Sequence, residues 1–137
     1  MAEKEVKRGK LDYLREIFEI YESGMGDGVR SIELAKKFGI SKASVSEMLK
    51  KLASEKLIEL KPYSRIFLTS KGRKMAKESS NKHEIIKKFL KRYFGHEDKI
   101  IEEEAHRLGY AFSQESLKKL QEFVEGRKVF NPPVYVG

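Results

Sequence analysis

Cysteine and tryptophan are absent from the 137 residues, and proline and histidine occur three times each. Without cysteine the chain has no disulfide framework, no thiolate metal site and no cysteine nucleophile. Apolar runs are short, Ile66-Phe67-Leu68 being typical. The roughly 18 consecutive apolar residues of a membrane span are missing, as is a secretory h-region. The cytoplasm is the expected address, with no membrane partner. Enzyme signatures are missing too: no P-loop, no dinucleotide glycine fingerprint, no H-E-x-x-H and no serine nucleophile setting. Gly24-Met25-Gly26-Asp27-Gly28 is glycine-rich but follows a helical pattern instead of a strand, so it reads as a loop. The expectation is a protein that is not an enzyme.

Charge is abundant, and unevenly placed. Lysine and arginine number 29 against 21 acidic residues, a net +8. Between Arg30 and Lys77 there are 13 basic and 4 acidic residues, an excess of nine, whereas His96 to Glu104 holds five acids and one lysine. A basic half points to a polyanion partner and an acidic patch to a second task such as cation binding. The apolar fraction of 39% suffices for one domain or two small ones.

The chain opens with a charged leader, Met1 to Lys10. Leu11, Leu14, Ile17, Phe18 and Tyr21 then recur at helical spacing. Ser31 suits the cap of a second helix ending at Gly39, and a third begins at Ser41 or Lys42 with Val45, Met48, Leu49 and Leu52 inward. Leu57 to Leu60 and Ile66 to Leu68 read as strands of a hairpin turning at Lys61 to Arg65. A basic helix follows from Thr69 or Ser70, then a longer one around His83 to Phe94, broken at Gly95. Two more helices are predicted near Asp98 to Phe112 and Gln114 to Glu125, before an extended, proline-stiffened tail, Val129 to Val136. The fold class is thus mostly α with a small β-hairpin wing. A winged helix-turn-helix domain occupies 1–77, and a helical domain for dimerisation and metal binding occupies 78–137.

Helix, helix, tight turn, helix and hairpin is the order of a winged helix-turn-helix. Gly39 supplies the positive φ that the turn Phe38-Gly39-Ile40-Ser41 needs. With Val45 and Leu49 inward, Lys42, Ala43, Ser44, Ser46, Glu47 and Lys50 face outward. Small and hydroxyl side chains there suit a helix lying in the major groove of duplex DNA. Ser41 and Ser44 are positioned for phosphates, Ala43, Ser46 and Glu47 for base edges, and Ser31 is a further candidate DNA contact. Lys50, Lys51 and Arg65, placed at the hairpin tip, would hold the backbone. The other reading of the same wing is a module that docks a protein.

Leu11-Asp12-Tyr13-Leu14-Arg15-Glu16-Ile17, the helix-turn-helix, Leu68-Thr69-Ser70-Lys71-Gly72 and Asn81-Lys82-His83-Glu84 together resemble the iron- and manganese-dependent repressors of the diphtheria-toxin-repressor type. The resemblance runs from Leu11 to Glu125 and implies the two-domain layout without an SH3-like third domain. It also implies a homodimer on a palindromic operator, paired through helices after the wing. Ile85, Phe89, Tyr93 and Phe94 are the candidate interface, with Leu117, Leu120, Phe123 and Val124 as a further apolar supply.

The resemblance further implies a divalent transition metal, Fe(II) or Mn(II), on Asp12, His83 and His106. Glu102 stands one turn before His106 and shares its helix face. Filling that site would fix the DNA-binding domain relative to the dimer core. Three departures stand out: Gly109 and Tyr110 replace a Glu and a His, Arg15 stands where manganese-type members carry a second carboxylate, and Lys87 replaces an acidic residue one turn after His83. One mononuclear site is the expectation. The alternative is a metal-independent regulator with a degenerate site, in which Asp12 pairs with a nearby Lys or Arg.

Overall fold

A computed structural model describes residues 8–24 and 28–126. Most of the charged leader, Met25 to Asp27 of the glycine loop, and the tail Val129 to Val136 lie outside the described residues. The chain divides into two compact units, the first ending at Ser80 and the second beginning at Asn81.

The first unit begins with α1 (Lys10–Ser23), which buries Tyr13, Leu14 and Ile17, while Leu11 and Tyr21 of the expected stripe remain exposed. Tyr13 packs edge-on against Phe38 at 4.9 Å between ring centres. A short strand β1 (Val29–Arg30) leads into α2 (Ser31–Phe38), which turns through Gly39 into α3 (Lys42–Ser54). Gly39 sits at φ 65° in the left-handed region, as a sharp turn between helices requires. Ser31 is the first helical residue and not the cap. The Glu33 carboxylate instead accepts the Arg30 backbone N–H at 3.1 Å. Ser41 caps α3, its hydroxyl accepting the Ser44 N–H at 3.2 Å.

The wing is β2 (Ile58–Lys61), a turn at Pro62–Ser64 and β3 (Arg65–Leu68). β1 adds to it, giving an antiparallel three-stranded sheet in the order β1-β3-β2. Val29 and Ile66 are opposed and buried; one residue on, Arg30, Arg65 and Lys61 are opposed across all three strands. Arg65 therefore opens β3 and is half-buried, instead of standing at the hairpin tip, which Tyr63 occupies. Leu14, Ile17, Leu34, Val45, Leu52 and Ile66 are fully covered and form the centre of this unit's core.

The Leu68-Thr69-Ser70-Lys71-Gly72 signature closes the wing onto the next helix, α4 (Ser70–Phe89). Thr69 donates from its backbone to the Leu57 carbonyl at 3.1 Å and from its hydroxyl to the Lys56 carbonyl at 2.7 Å. The same hydroxyl accepts the Gly72 N–H at 3.1 Å, an N-cap bond. Gly72 is required because a Cβ there would stand 1.9 Å from the Leu57 carbonyl oxygen. The two basic and His-bearing helical segments expected separately are one continuous α4.

In the second unit the end of α4 passes into a single π-helical stretch, Leu90–Phe94, terminated by Gly95 at φ 65°. Then come α5 (Asp98–Ala111) and α6 (Gln114–Val124), the latter capped by Ser113. Ile86, Leu90, Ile101, Ala105 and Leu117 form its small core. No helix among the described residues is long and apolar enough to cross a membrane.

Candidate functional site

α3 places Lys42, Ala43, Ser44, Ser46, Glu47, Lys50 and Lys51 on its exposed side, with Val45, Leu49 and Leu52 buried beneath. That alternation is what a groove-reading helix needs: its inner face anchors it and its outer face is free to touch DNA. The Ser41 hydroxyl also lies 3.0 Å from the Ser44 hydroxyl, so the two order the first turn. Ser31 is half-buried at the start of α2.

The sheet adds cations that the sequence did not single out. Arg30 and Lys61 flank Arg65 at directly paired positions. Like charges placed opposite one another across strands destabilise a sheet. Among the described residues Glu59, 3.5 Å from Lys61 Nζ, partly offsets them. Arg65 lies 5.9 Å over the Phe67 ring. Arg30 could not be placed here from sequence, because β1 is two residues long and gives no periodic signal.

The four expected metal ligands fall in both units. Asp12 is 2% exposed in the first turn of α1, where its carboxylate accepts the Gly9 N–H at 2.8 Å and pairs with Arg15 Nη2 at 3.2 Å. The carboxylate thus caps its own helix and meets the arginine that the sequence placed beside it. In the second unit His83, 6% exposed on α4, reaches Glu102 of α5, Nε2 to Oε2 at 3.2 Å. Lys87 Nζ stands 2.6 Å from the other Glu102 oxygen and 3.7 Å from Glu84. Burial alone would push the Glu102 carboxyl up, but hydrogen bonds from Lys87 and His83 outweigh it and hold it below the ordinary carboxylate range. His106, 4% exposed, sits one turn beyond Glu102, with Tyr110 edge-on at 5.3 Å.

Two buried imidazoles and a carboxylate on facing helices are a donor set that fits a borderline divalent metal. His83 and Glu102 are brought together by the fold. Among the described residues, however, no group of three or more His, Asp and Glu side chains is arranged to hold an ion. The remaining histidine, His96, lies 3.7 Å from Glu104.

Of the expected dimer-interface residues, Ile85 is buried within the protomer, so it is withdrawn from that face. Phe89 is partly buried against the second core, whereas Tyr93 and Phe94 are exposed. The Tyr93 ring packs on Phe123, and that of Phe94 on Phe89, both at 5.3 Å.

Comparison with known proteins agrees with this geometry. The iron dependent repressor N-terminal DNA binding domain matches residues 7–66, and the iron dependent repressor metal binding and dimerisation domain matches 69–131. An uncharacterized HTH-type transcriptional regulator of Methanocaldococcus jannaschii is 37% identical over 83% of this chain and 90% of its own length. The transcriptional regulator MntR of Escherichia coli O6:H1 is 32% identical over 89% of this chain and 78% of its own. Among solved structures, the manganese regulator SloR superposes with a TM-score of 0.77 at 31% identity, covering 88% of this chain. The match spans 55% of the SloR chain, just over half its length. With both domains matched in order, and with relatives above 30% identity over most of its length, the chain belongs to the iron-dependent repressor family.

Proposed function

We propose that the protein is a homodimeric transcriptional repressor that binds a palindromic operator and tightens on it when it holds a divalent metal, Fe(II) or Mn(II). The observation that carries this reading is α3: seven residues from Lys42 to Lys51 displayed on a helix locked from below by Val45, Leu49 and Leu52. Ser41, Ser44, Lys50, Lys51 and Arg65 serve phosphates, with Ser31 at the edge of the contact; Ala43, Ser46 and Glu47 meet bases. Two such helices on a two-fold axis read half-sites about 34–36 Å apart, or a multiple of that. Tyr93, Phe94 and Phe123, exposed beside a core of five buried residues, give the second unit an apolar surface suited to a second copy.

His83, Glu102 and His106 of the second unit would hold the metal in this reading, and Asp12 is the further candidate that the sequence resemblance implies. The metal, when bound, supplies the positive charge that draws imidazole nitrogen and carboxylate oxygen into one shell. Lys87 and Arg15 are the charges it must compete with, and they favour one ion over two.

The test is fluorescence anisotropy with a duplex enriched from a random pool by the protein, titrated with and without Mn(II) at fixed ionic strength. Affinity is expected to rise with metal, and to fall about 10³-fold between 50 and 200 mM salt for some six phosphate contacts. Unchanged affinity on adding metal refutes the linkage. Failure to enrich any duplex refutes DNA binding, and favours a wing that docks protein.

A further inference from the structure

The turn of the wing is backbone-strained in an unusual way. Tyr63 and Ser64 both have positive φ, 65° and 57°, a region that L side chains rarely adopt. Elsewhere among the described residues positive φ falls on Gly28, Gly39, Gly95 and Gly126, and on Lys56 just after α3. Here the chain places an aromatic residue in that conformation, immediately after Pro62, whose ring fixes φ and stiffens the approach. The side chain so displayed is 86% exposed, the most exposed large hydrophobic group in the described chain. A hairpin turn calls for positive φ, which Gly, Asn or Asp adopt more easily than Tyr, so the turn explains the backbone conformation but not the choice of a phenol ring held in water. Next along the strands lies the row Arg30, Arg65 and Lys61, cations opposed to one another, with Glu59 3.5 Å from Lys61.

We propose that Tyr63 is a DNA-reading residue of the wing, seated in the minor groove beside the major groove that α3 enters, with Arg30, Arg65 and Lys61 on the flanking phosphates. The chemistry suits that groove. It is narrow and its walls are phosphate, so a flat side chain between cations matches both its shape and its charge. The Tyr63 hydroxyl can donate to the acceptors on the groove floor, adenine N3 and thymine O2, whereas the guanine 2-amino group obstructs the ring. Strain at residue 63 is then the means of presentation: the left-handed turn points the ring outward before DNA arrives, and little ordering remains for the bound state. This inference rests on the reading of the protein as a DNA-binding repressor, and it adds a minor-groove preference for A·T pairs outside the α3 contact.

The experiment uses the full chain with Mn(II) and a labelled duplex of roughly 30 base pairs, long enough for two half-sites one turn apart, enriched from a random pool by the wild type. The duplex is made in two forms, with G·C or inosine·C pairs at the flanks. Inosine lacks only the minor-groove amino group, so the major groove is the same in both. Wild type is expected to bind the inosine form about tenfold more tightly, and Tyr63→Gly to bind both forms alike, near the weaker level. Tyr63→Asn, which also tolerates the left-handed turn, is expected to behave as Tyr63→Gly. Melting temperature is expected to stay level or rise in Tyr63→Gly, because glycine relieves the backbone. Wild type blind to the inosine exchange, or Tyr63→Gly retaining the preference, overturns the wing assignment while leaving α3 reading intact. A marked loss of thermal stability in both variants overturns it as well, since the ring would then serve packing. If no duplex is enriched, DNA binding itself fails and the wing assignment falls with it.

Discussion

Gly72→Ala offers the sharpest test of how the wing is joined to the rest of its unit. In an ordinary helix interior this change stabilises, by about 1 kcal/mol from propensity alone. At residue 72 the new Cβ would stand 1.9 Å from the Leu57 carbonyl oxygen, and 2.8 Å from its carbon. The start of α4 must therefore withdraw from the wing by more than an ångström, an overpacking cost of about 1–3 kcal/mol. The withdrawal also loosens the Thr69 cap and its bonds to the Leu57 and Lys56 carbonyls, worth a further 1–2 kcal/mol or so. The balance is a destabilisation of about 1–4 kcal/mol, or roughly 5–30 °C in melting temperature for a unit of this size. Thermal and urea denaturation followed by circular dichroism measure it, with an unchanged urea slope confirming that stability and not compactness has moved. Gly109→Ala is the internal control. Its Cβ meets nothing within 4 Å in the last turn of α5, so it is expected to stabilise slightly, by up to about 0.5–1 kcal/mol. If Gly72→Ala stabilises as Gly109→Ala does, the close approach to Leu57 is wrong.

Leu52→Ala empties a fully buried site beneath α3 and is expected to cost about 2–5 kcal/mol, so that helical signal in the first unit melts earlier; a loss under about 1 kcal/mol contradicts the packing. Burial pushes the Glu16 carboxyl up even though Lys37 lies 3.8 Å away. A raised folded-state pKa means stability that is full below the unfolded value and lost as pH rises through the folded one. Glu16→Gln is therefore expected to be more stable than wild type at neutral pH, with the gain shrinking as acid is added; a constant difference across pH refutes it. Lys87→Met frees a Glu102 oxygen from its ammonium. Because the pair is partly exposed, the expected gain in Co(II) or Mn(II) affinity by calorimetry is modest, up to about fivefold, and weaker binding overturns the competition. Glu47→Ala is expected to change which base is preferred at one operator position, with little effect on salt dependence, as read by repeating the duplex selection.

What the sequence disclosed follows from which signals are local. Helical spacing found α1, α3, α5 and α6, because a buried stripe repeats within one element. Gly39 marked the tight turn because the conformation it adopts is nearly its own. The outward set on α3 followed from Val45 and Leu49 being inward. Non-local pairing was hidden: β1 is held only by register with β3, so the alignment of Arg30 with Arg65 and Lys61 left no trace in a single strand. Arg65 was misplaced for the same reason, since the turn is tighter than its five candidate residues suggested. At the candidate metal ligands, residue matching singled out residue types and one helix face; the degenerate-site alternative had Asp12 paired with a nearby Lys or Arg, and Arg15 is the residue found beside it. The contact between His83 and Glu102 spans two helices, beyond what spacing along one can reveal. Ile85 was assigned outward on an apolar stripe that the protomer itself covers.

The π-helical stretch Leu90–Phe94 carries a consequence for how such a chain changes over time. Its wider turn accommodates an additional residue relative to an α-turn, and confines the effect of that residue to one turn. Phe94 follows Phe89 by five residues, the spacing that a π-turn brings onto one face and on which the two rings meet. Deleting one residue there would restore α geometry and leave the two rings four apart, which an α-turn also places on one face. The segment can therefore gain or lose a codon without re-aiming the residues that follow it. Lineages of this chain are free to vary in length at this point while keeping the direction of the aromatic cluster, whose chemistry then changes side chain by side chain.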